Sequence, residues 1–258
     1  MTLLSVRDIT DSVSILEVPA VAGLMECRAL PELQARITAL DNSSRAFIDT
    51  FGLETRAAAI SLRYRRPEHP RLVKRVFERS AIEPHLLSSW RHLADRPLAA
   101  DKIAELAGRL CGRAVGYAAS RMQTHPDPSG RMTVYAPRAQ QNSWPHLIMA
   151  AESACNCPIN SALAAFCIFV VCHPLRDGNG RVGRSLIHGG LARAGLISAP
   201  VLPLAPAFLG RGPQIGEVMA AFSATGQWSI ALDWAAEVLA EACELAEAVS
   251  RLPASADQ

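Results

Sequence analysis

Aromatic residues are scarce in this 258-residue chain, 5% of the total, although half of its residues are hydrophobic. Sheet proteins lean on aromatic and β-branched side chains, so a chain that instead spends heavily on alanine and arginine points to helices. Net charge is small too. A formal balance of +2 gives no argument for a nucleic acid or membrane surface as partner. The longest apolar run, Ala162 to Cys172, falls well short of the ~20 residues that span a bilayer. The first residues, Met1 to Asp8, carry charge early and lack the basic-then-apolar plan of a signal peptide. Seven cysteines make an odd set without disulfide-scaffold spacing. Cys155, Cys157, Cys167 and Cys172 do not have the spacing of common zinc sites and read as buried thiols of a reducing cytosol. The length allows one large domain, or a small one beside a larger.

What the chain does have is concentrated between His173 and Arg184, in the order His-Pro-Leu-Arg-Asp-Gly-Asn-Gly-Arg-Val-Gly-Arg. Gly178 and Gly180 flank Asn179 and allow backbone amides to turn toward one centre. A helix starting near Arg181 would aim its free N–H groups and positive dipole end at the same place, which suits phosphate oxygens. Arg181 and Arg184 share a face of that helix, where their guanidinium forks could grip further oxygens. Asp177, just before the turn, is placed to hold a Mg²⁺ shared with phosphates. His173, with an ordinary pKa near 6.5, is suited to act as a general base.

A rival pattern overlaps this one. Gly178, Gly180 and Gly183 satisfy the spacing of a dinucleotide-binding turn, and Phe166 to Cys172 could pass for the strand before it. That motif needs an acidic residue about 20 positions on, for the ribose. Between Gly178 and Gly216 there is no Asp or Glu, and the alternating strand and helix units are missing as well. The dinucleotide reading fails.

The stretch resembles the signature of the Fic (filamentation induced by cAMP) family, H-x-F-x-[DE]-G-N-G-R-x-x-R. Seven of its eight specified positions match, with Leu175 in place of the family's Phe. The resemblance implies a mainly α fold, a helical bundle with a small β-hairpin flap. The implied activity is protein adenylyl transfer: AMP moves from ATP to a Ser, Thr or Tyr hydroxyl of a target protein, releasing pyrophosphate. His173 would be the base and Asp177 would hold Mg²⁺. Gly178, Asn179 and Gly180 would cradle the β-phosphate with Arg181, and Arg184 would reach the γ-phosphate. Leu175 keeps the anchor's character with less volume, so a slightly looser loop is expected. Relatives in the family that transfer UMP, phosphate or phosphocholine supply alternatives, as does an interaction module that only binds nucleotide.

In chain order, Leu33, Ile37 and Leu40 have helical spacing, and Asp41 to Ser44 is a candidate N-cap cluster for a helix running past Phe47 to Leu62. That helix carries Thr50 and Glu54. In the family an inhibitory helix bears [ST]-x-x-x-E-[GN], which makes Glu54 a candidate partner for Arg184. The basic run from Arg63 to Arg79 reads as a solvated helix face, with an acidic protein or DNA as other readings. Residues 1–95 form the expected N-terminal helical region, 96–252 the Fic core and 253–258 a tail. Met132 to Tyr135 is a short strand, placed where the family's flap holds its target by strand addition. Trp144-Pro145 is expected to open a helix, Pro200 to Pro206 to be an extended connector, and Trp228 to Leu252 a long helix; the resemblance implies a further helix over Ile159 to Val171, although Phe166 to Val171 have strand propensity. The expected setting is cytoplasmic, or outside the cell as a secreted effector.

Overall fold

A computed structural model describes residues 13–44, 100–124 and 132–251, and among these the chain is helical apart from two short strands. Strand β1 (Val13–Ile15) and a 3-10 helix (Val21–Glu26) precede α1 (Pro31–Ser44). After α2 (Ala100–Cys111) come β2 (Met132–Val134) and the helices α3 (Arg138–Ala154), α4 (Pro158–Cys172) and α5 (Asn179–Arg193). The helices α6 (Leu204–Gly210), α7 (Gly212–Thr225) and α8 (Trp228–Ser250) complete the order.

Helix α4 is apolar on every side, and a helix of that kind belongs at the centre of a bundle. Pro158 starts it at a position whose N–H needs no partner. Phe166 and Phe169 are fully buried, each burial stabilising by roughly 1.5–3 kcal/mol. Helix α5 lies close against α4, and two glycines on one side of it make that approach feasible. A Cβ at Gly183 would sit 2.9 Å from the Phe166 ring, and one at Gly190 would sit 2.8 Å from the Cα-bound methyl of Ala162. The long α8 closes the other side. Its Trp228 and Trp234 are buried, against Phe222 and Phe208 respectively, so both are core residues.

The N-terminal segment is woven into the same core. Gln140 of α3 brackets Val18, accepting from its N–H at 2.9 Å and donating to its carbonyl at 3.0 Å. Trp228 donates its indole N–H to the Ala20 carbonyl at 2.9 Å. Arg36 of α1 grips Glu247 of α8 through two bonds of 2.6 and 2.8 Å.

Three expectations change. The Asp41 to Ser44 cluster lies inside α1 instead of ahead of a helix, and Asp41 is buried, accepting the Ser198 N–H and hydroxyl at 2.8 Å each. Helix α3 begins at Arg138 and runs through Pro145, because burial of Trp144 and Ile148 on its core face outweighs one missing N–H donor. The proline-rich connector contains α6, in which Pro206 occupies the first turn, where the missing donor costs nothing.

The flap also differs in its pairing. Strand β2 runs parallel to β1, with Val13, Ser14 and Ile15 opposite Met132, Thr133 and Val134. Its other edge meets residues 122–124 in antiparallel sense through the Gln123–Val134 bridge, with Thr124 N–H donating to the Thr133 carbonyl at 2.9 Å. Both edges of β2 are therefore occupied by this chain. The 95/96 boundary, the Phe47 to Leu62 helix with Glu54, and the basic run to Arg79 lie outside the described residues.

Candidate functional site

The signature lies where α4 stops, turns and restarts as α5. His173 is the C-cap of α4 and adopts a left-handed backbone (φ 46°, ψ 54°), the one such non-glycine residue among those described. Its N–H still bonds the Phe169 carbonyl at 2.9 Å. A strained cap of this kind in a side chain with chemistry is a functional signal. The loop that follows is pinned to residues 116–118. Ala118 N–H donates to the Pro174 carbonyl at 2.8 Å and Arg176 N–H to the Gly116 carbonyl at 3.0 Å.

Inside the loop, buried Asn179 holds both backbone groups of Leu175, accepting from its N–H at 3.0 Å and donating to its carbonyl at 2.7 Å. Leu175 itself is fully buried. Gly178 is the N-cap of α5 at φ 80°, and a Cβ there would lie 2.8 Å from the Cys111 sulfur. Among the described residues no side chain caps the α5 N-terminus. The turn is thus held from behind, and among those residues its amide end stays open, with Gly180 exposed at the front.

Asp177 accepts the Gly178 N–H at 2.7 Å through Oδ1 and the Arg113 guanidinium at 2.5 Å through Oδ2. Partial burial pushes its carboxyl up, but the Arg113 bond, the Gly178 amide and the charges of Arg113 and Arg181 outweigh this, holding it below the usual range. A single, half-exposed carboxylate suits Mg²⁺, which takes most of its ligands from phosphates and water. No cluster of three candidate metal ligands occurs among the described residues. Arg181 turns toward α2, donating to the Leu110 carbonyl at 3.2 Å and contacting the Cys111 sulfur at 2.8 Å. Arg184 is 6% exposed, with its guanidinium below Gly180.

Tyr135, which follows β2, covers His173. The two rings stack with centroids 3.7 Å apart and planes 22° from parallel. His173 Nδ1 is buried with no partner at hydrogen-bonding geometry. Burial lowers the imidazole to about 4, against the opposing pull of the Val170 carbonyl and the Asp177 charge. At neutral pH the ring is therefore uncharged and able to accept a proton.

The signature residues named from sequence thus converge on one loop, while Glu54 lies outside the described residues. Arg113 and Tyr135 belong to the site and carry no motif. The one sequence sign for Arg113 is Gly112 before it, a left-handed turn ending α2. A groove of about 570 Å³ along α2 leads to Arg113.

No protein-family model matches the chain, and no curated protein does. Solved structures do. A Fic domain containing signaling protein from Bacteroides thetaiotaomicron is 14% identical, with a TM-score of 0.58, over 85% of this chain and 96% of that one. A Fic family protein from Desulfovibrio desulfuricans is also 14% identical at a TM-score of 0.58, over 87% of this chain and 76% of the other. The fold of this chain is the Fic fold.

Proposed function

We propose that this protein is an adenylyltransferase that moves AMP from ATP to a hydroxyl of a target protein. The observation that carries the reading is the uncapped α5 N-terminus, with Asp177 at its mouth and an uncharged His173 beside it. The Fic fold and seven matched signature positions support it.

In this reading the amides at Gly178 to Gly180 and the α5 dipole receive phosphate oxygens, with Arg181 and Arg184 behind them. Mg²⁺, held by Asp177, would neutralise charge on the phosphates. The target hydroxyl oxygen attacks the α-phosphorus, the bond from that phosphorus to the bridging oxygen breaks, and pyrophosphate leaves. Buried Nδ1 leaves Nε2 of His173 to take the hydroxyl proton. Glu54 is proposed as an inhibitor that occupies Arg184. The proposed setting is cytoplasmic, with a secreted effector as the alternative; among the described residues no helix is long and apolar enough to cross a membrane.

A second reading has its own observation. Because Tyr135 covers His173, the fold also suits a module that binds nucleotide without turnover. The test is incubation with labelled ATP, Mg²⁺ and host lysate, comparing wild type, His173→Ala and Glu54→Gly. Adenylyl transfer requires label that His173→Ala abolishes and Glu54→Gly raises. Tight ATP binding without transfer, even in Glu54→Gly, would favour the binding module. Mass spectrometry of the labelled target separates AMP from UMP, phosphate or phosphocholine.

A further inference from the structure

The contact between Tyr135 and His173 joins two parts of the chain that no motif connects. One is the strand beside the site, the other the left-handed end of α4. The tyrosine backbone is held on three sides. Its N–H donates to the Met122 carbonyl at 3.0 Å, its carbonyl accepts Arg121 Nε at 2.6 Å, and the next N–H, that of Ala136, reaches the Val171 carbonyl at 3.1 Å. Those ties fix the Tyr135 backbone, and its ring stacks on the imidazole. Buried Gln141 donates from Nε2 to the His173 carbonyl at 3.5 Å.

His173 sits in a left-handed cap, and beyond the pull of the Val170 carbonyl its Nδ1 makes no well-formed bond. That weak backbone tie leaves the plane of the ring to be set by what packs on it. Stacked contact between two rings adds attraction beyond the area it buries. That is enough to select one ring orientation among staggered alternatives of similar energy.

We propose that Tyr135 is the positioning residue for His173, its ring fixing the plane of the imidazole and keeping water from Nδ1. The hydroxyl is not required for this; the face of the ring is. The proposal rests on the adenylyl-transfer reading only where turnover is measured. The titratable groups facing the imidazole are Asp177 from the loop, backed by Arg113, and the Tyr135 phenol, itself raised by burial; α3 contributes neutral Gln141.

The test compares Tyr135→Phe, Tyr135→Ala and Tyr135→Leu in the full chain. His173 is followed by NMR of the labelled imidazole through a pH titration, with thermal unfolding alongside. In wild type and Tyr135→Phe the His173 resonance should titrate near 4, whereas in Tyr135→Ala it should titrate nearer the ordinary 6.5. With transfer measured at pH 7.5, Tyr135→Phe should keep kcat within about twofold. Tyr135→Ala should lower kcat roughly tenfold or more with KM for ATP little changed, the pattern of lost orientation rather than lost binding. Tyr135→Leu replaces the alanine variant if that one does not fold.

An unmoved His173 titration in Tyr135→Ala or Tyr135→Leu overturns the proposal, as does equal loss in Tyr135→Phe and Tyr135→Ala. If wild type transfers nothing, the adenylyl-transfer reading fails, and the NMR titration still decides the role of Tyr135.

Discussion

Arg113 and Asp177 meet at 2.5 Å, joining the end of α2 to the mouth of the Gly-Asn-Gly turn. The side chains are 66% and 47% exposed, so the pair is worth about 0–1 kcal/mol and can be broken by a stronger cation. In the proposed reaction, Mg²⁺ must take the oxygen that Arg113 now holds. Arg113→Ala should therefore tighten Mn²⁺–ATP binding, by up to about fivefold, measured by electron paramagnetic resonance of the free ion. Weaker binding would show that the guanidinium serves the phosphates instead of competing for the carboxylate.

The neutral imidazole of His173 sets the acid limb of activity. A base must be deprotonated to accept, and burial lowers this one to about 4. Transfer should stay level on the acid side down to about pH 5, then fall tenfold per pH step below 4, in place of a limb near the ordinary 6.5. A limb at 6.5 in the wild-type profile would mean that the ring becomes solvated once ATP and target are bound.

The same burial makes the fold sensitive to acid, and His188 adds to it. His188 is buried, bonded through Nε2 to the Leu202 carbonyl at 3.0 Å, and burial lowers it to about 4 as well, with the Arg184 charge assisting. Unfolded, both rings titrate near 6.5 and take up protons that the folded chain refuses. Their contribution is whole above 6.5 and is lost as pH falls through 4, on the order of 3 kcal/mol for each group. Denaturant midpoints should drop between pH 7 and 4.5, less steeply in His188→Gln. A flat profile over that window contradicts the burial of both rings.

Much of this was readable from residue order. The candidate site was legible because its residues lie within one short stretch, from His173 to Arg184. Helix α8 was legible from its apolar spacing, whereas α4 was expected only from the family resemblance, because Phe166 to Val171 have the propensity of a strand. What failed was local punctuation. Asp41 has the side chain of an N-cap, yet a partner 157 positions away, Ser198, took its oxygens. Pro145 and Pro206 broke nothing, because burial around one and helix position for the other removed their cost. Tyr135 and Arg113 were missed for a different reason. Each acts through one contact across the fold, a tyrosine on an imidazole and a guanidinium on a carboxylate, and neither contact leaves a periodicity or motif.

Packing of α5 on α4 gives a test confined to the fold. A Cβ at Gly183 would meet Phe166 at 2.9 Å and Val170 at 3.4 Å. Alanine is the better helix former by about 1 kcal/mol, but overpacking a full core costs about 1–3 kcal/mol. Gly183→Ala should therefore lower stability by up to about 2 kcal/mol in denaturant titration. A gain would mean that the two helices part without cost.

The two glycines of the turn separate what the fold needs from what a ligand needs. Gly178 is required by the backbone: at φ 80°, with the Cys111 sulfur 2.8 Å from its would-be Cβ, alanine is strained and crowded. Gly178→Ala should cost about 1–3 kcal/mol of stability. Gly180 has no such need. Its φ is not left-handed, and a Cβ would find only the Arg184 guanidinium at 3.6 Å, an ordinary contact. Gly180→Ala, in the first turn of α5, should leave the melting temperature unchanged or slightly higher. Yet if phosphates approach the amides there, an added methyl group stands in their way, and ATP affinity measured by calorimetry should fall at least about tenfold. Stability kept and affinity lost would identify Gly180 as a glycine retained for its ligand; affinity kept would move the phosphates off the α5 N-terminus.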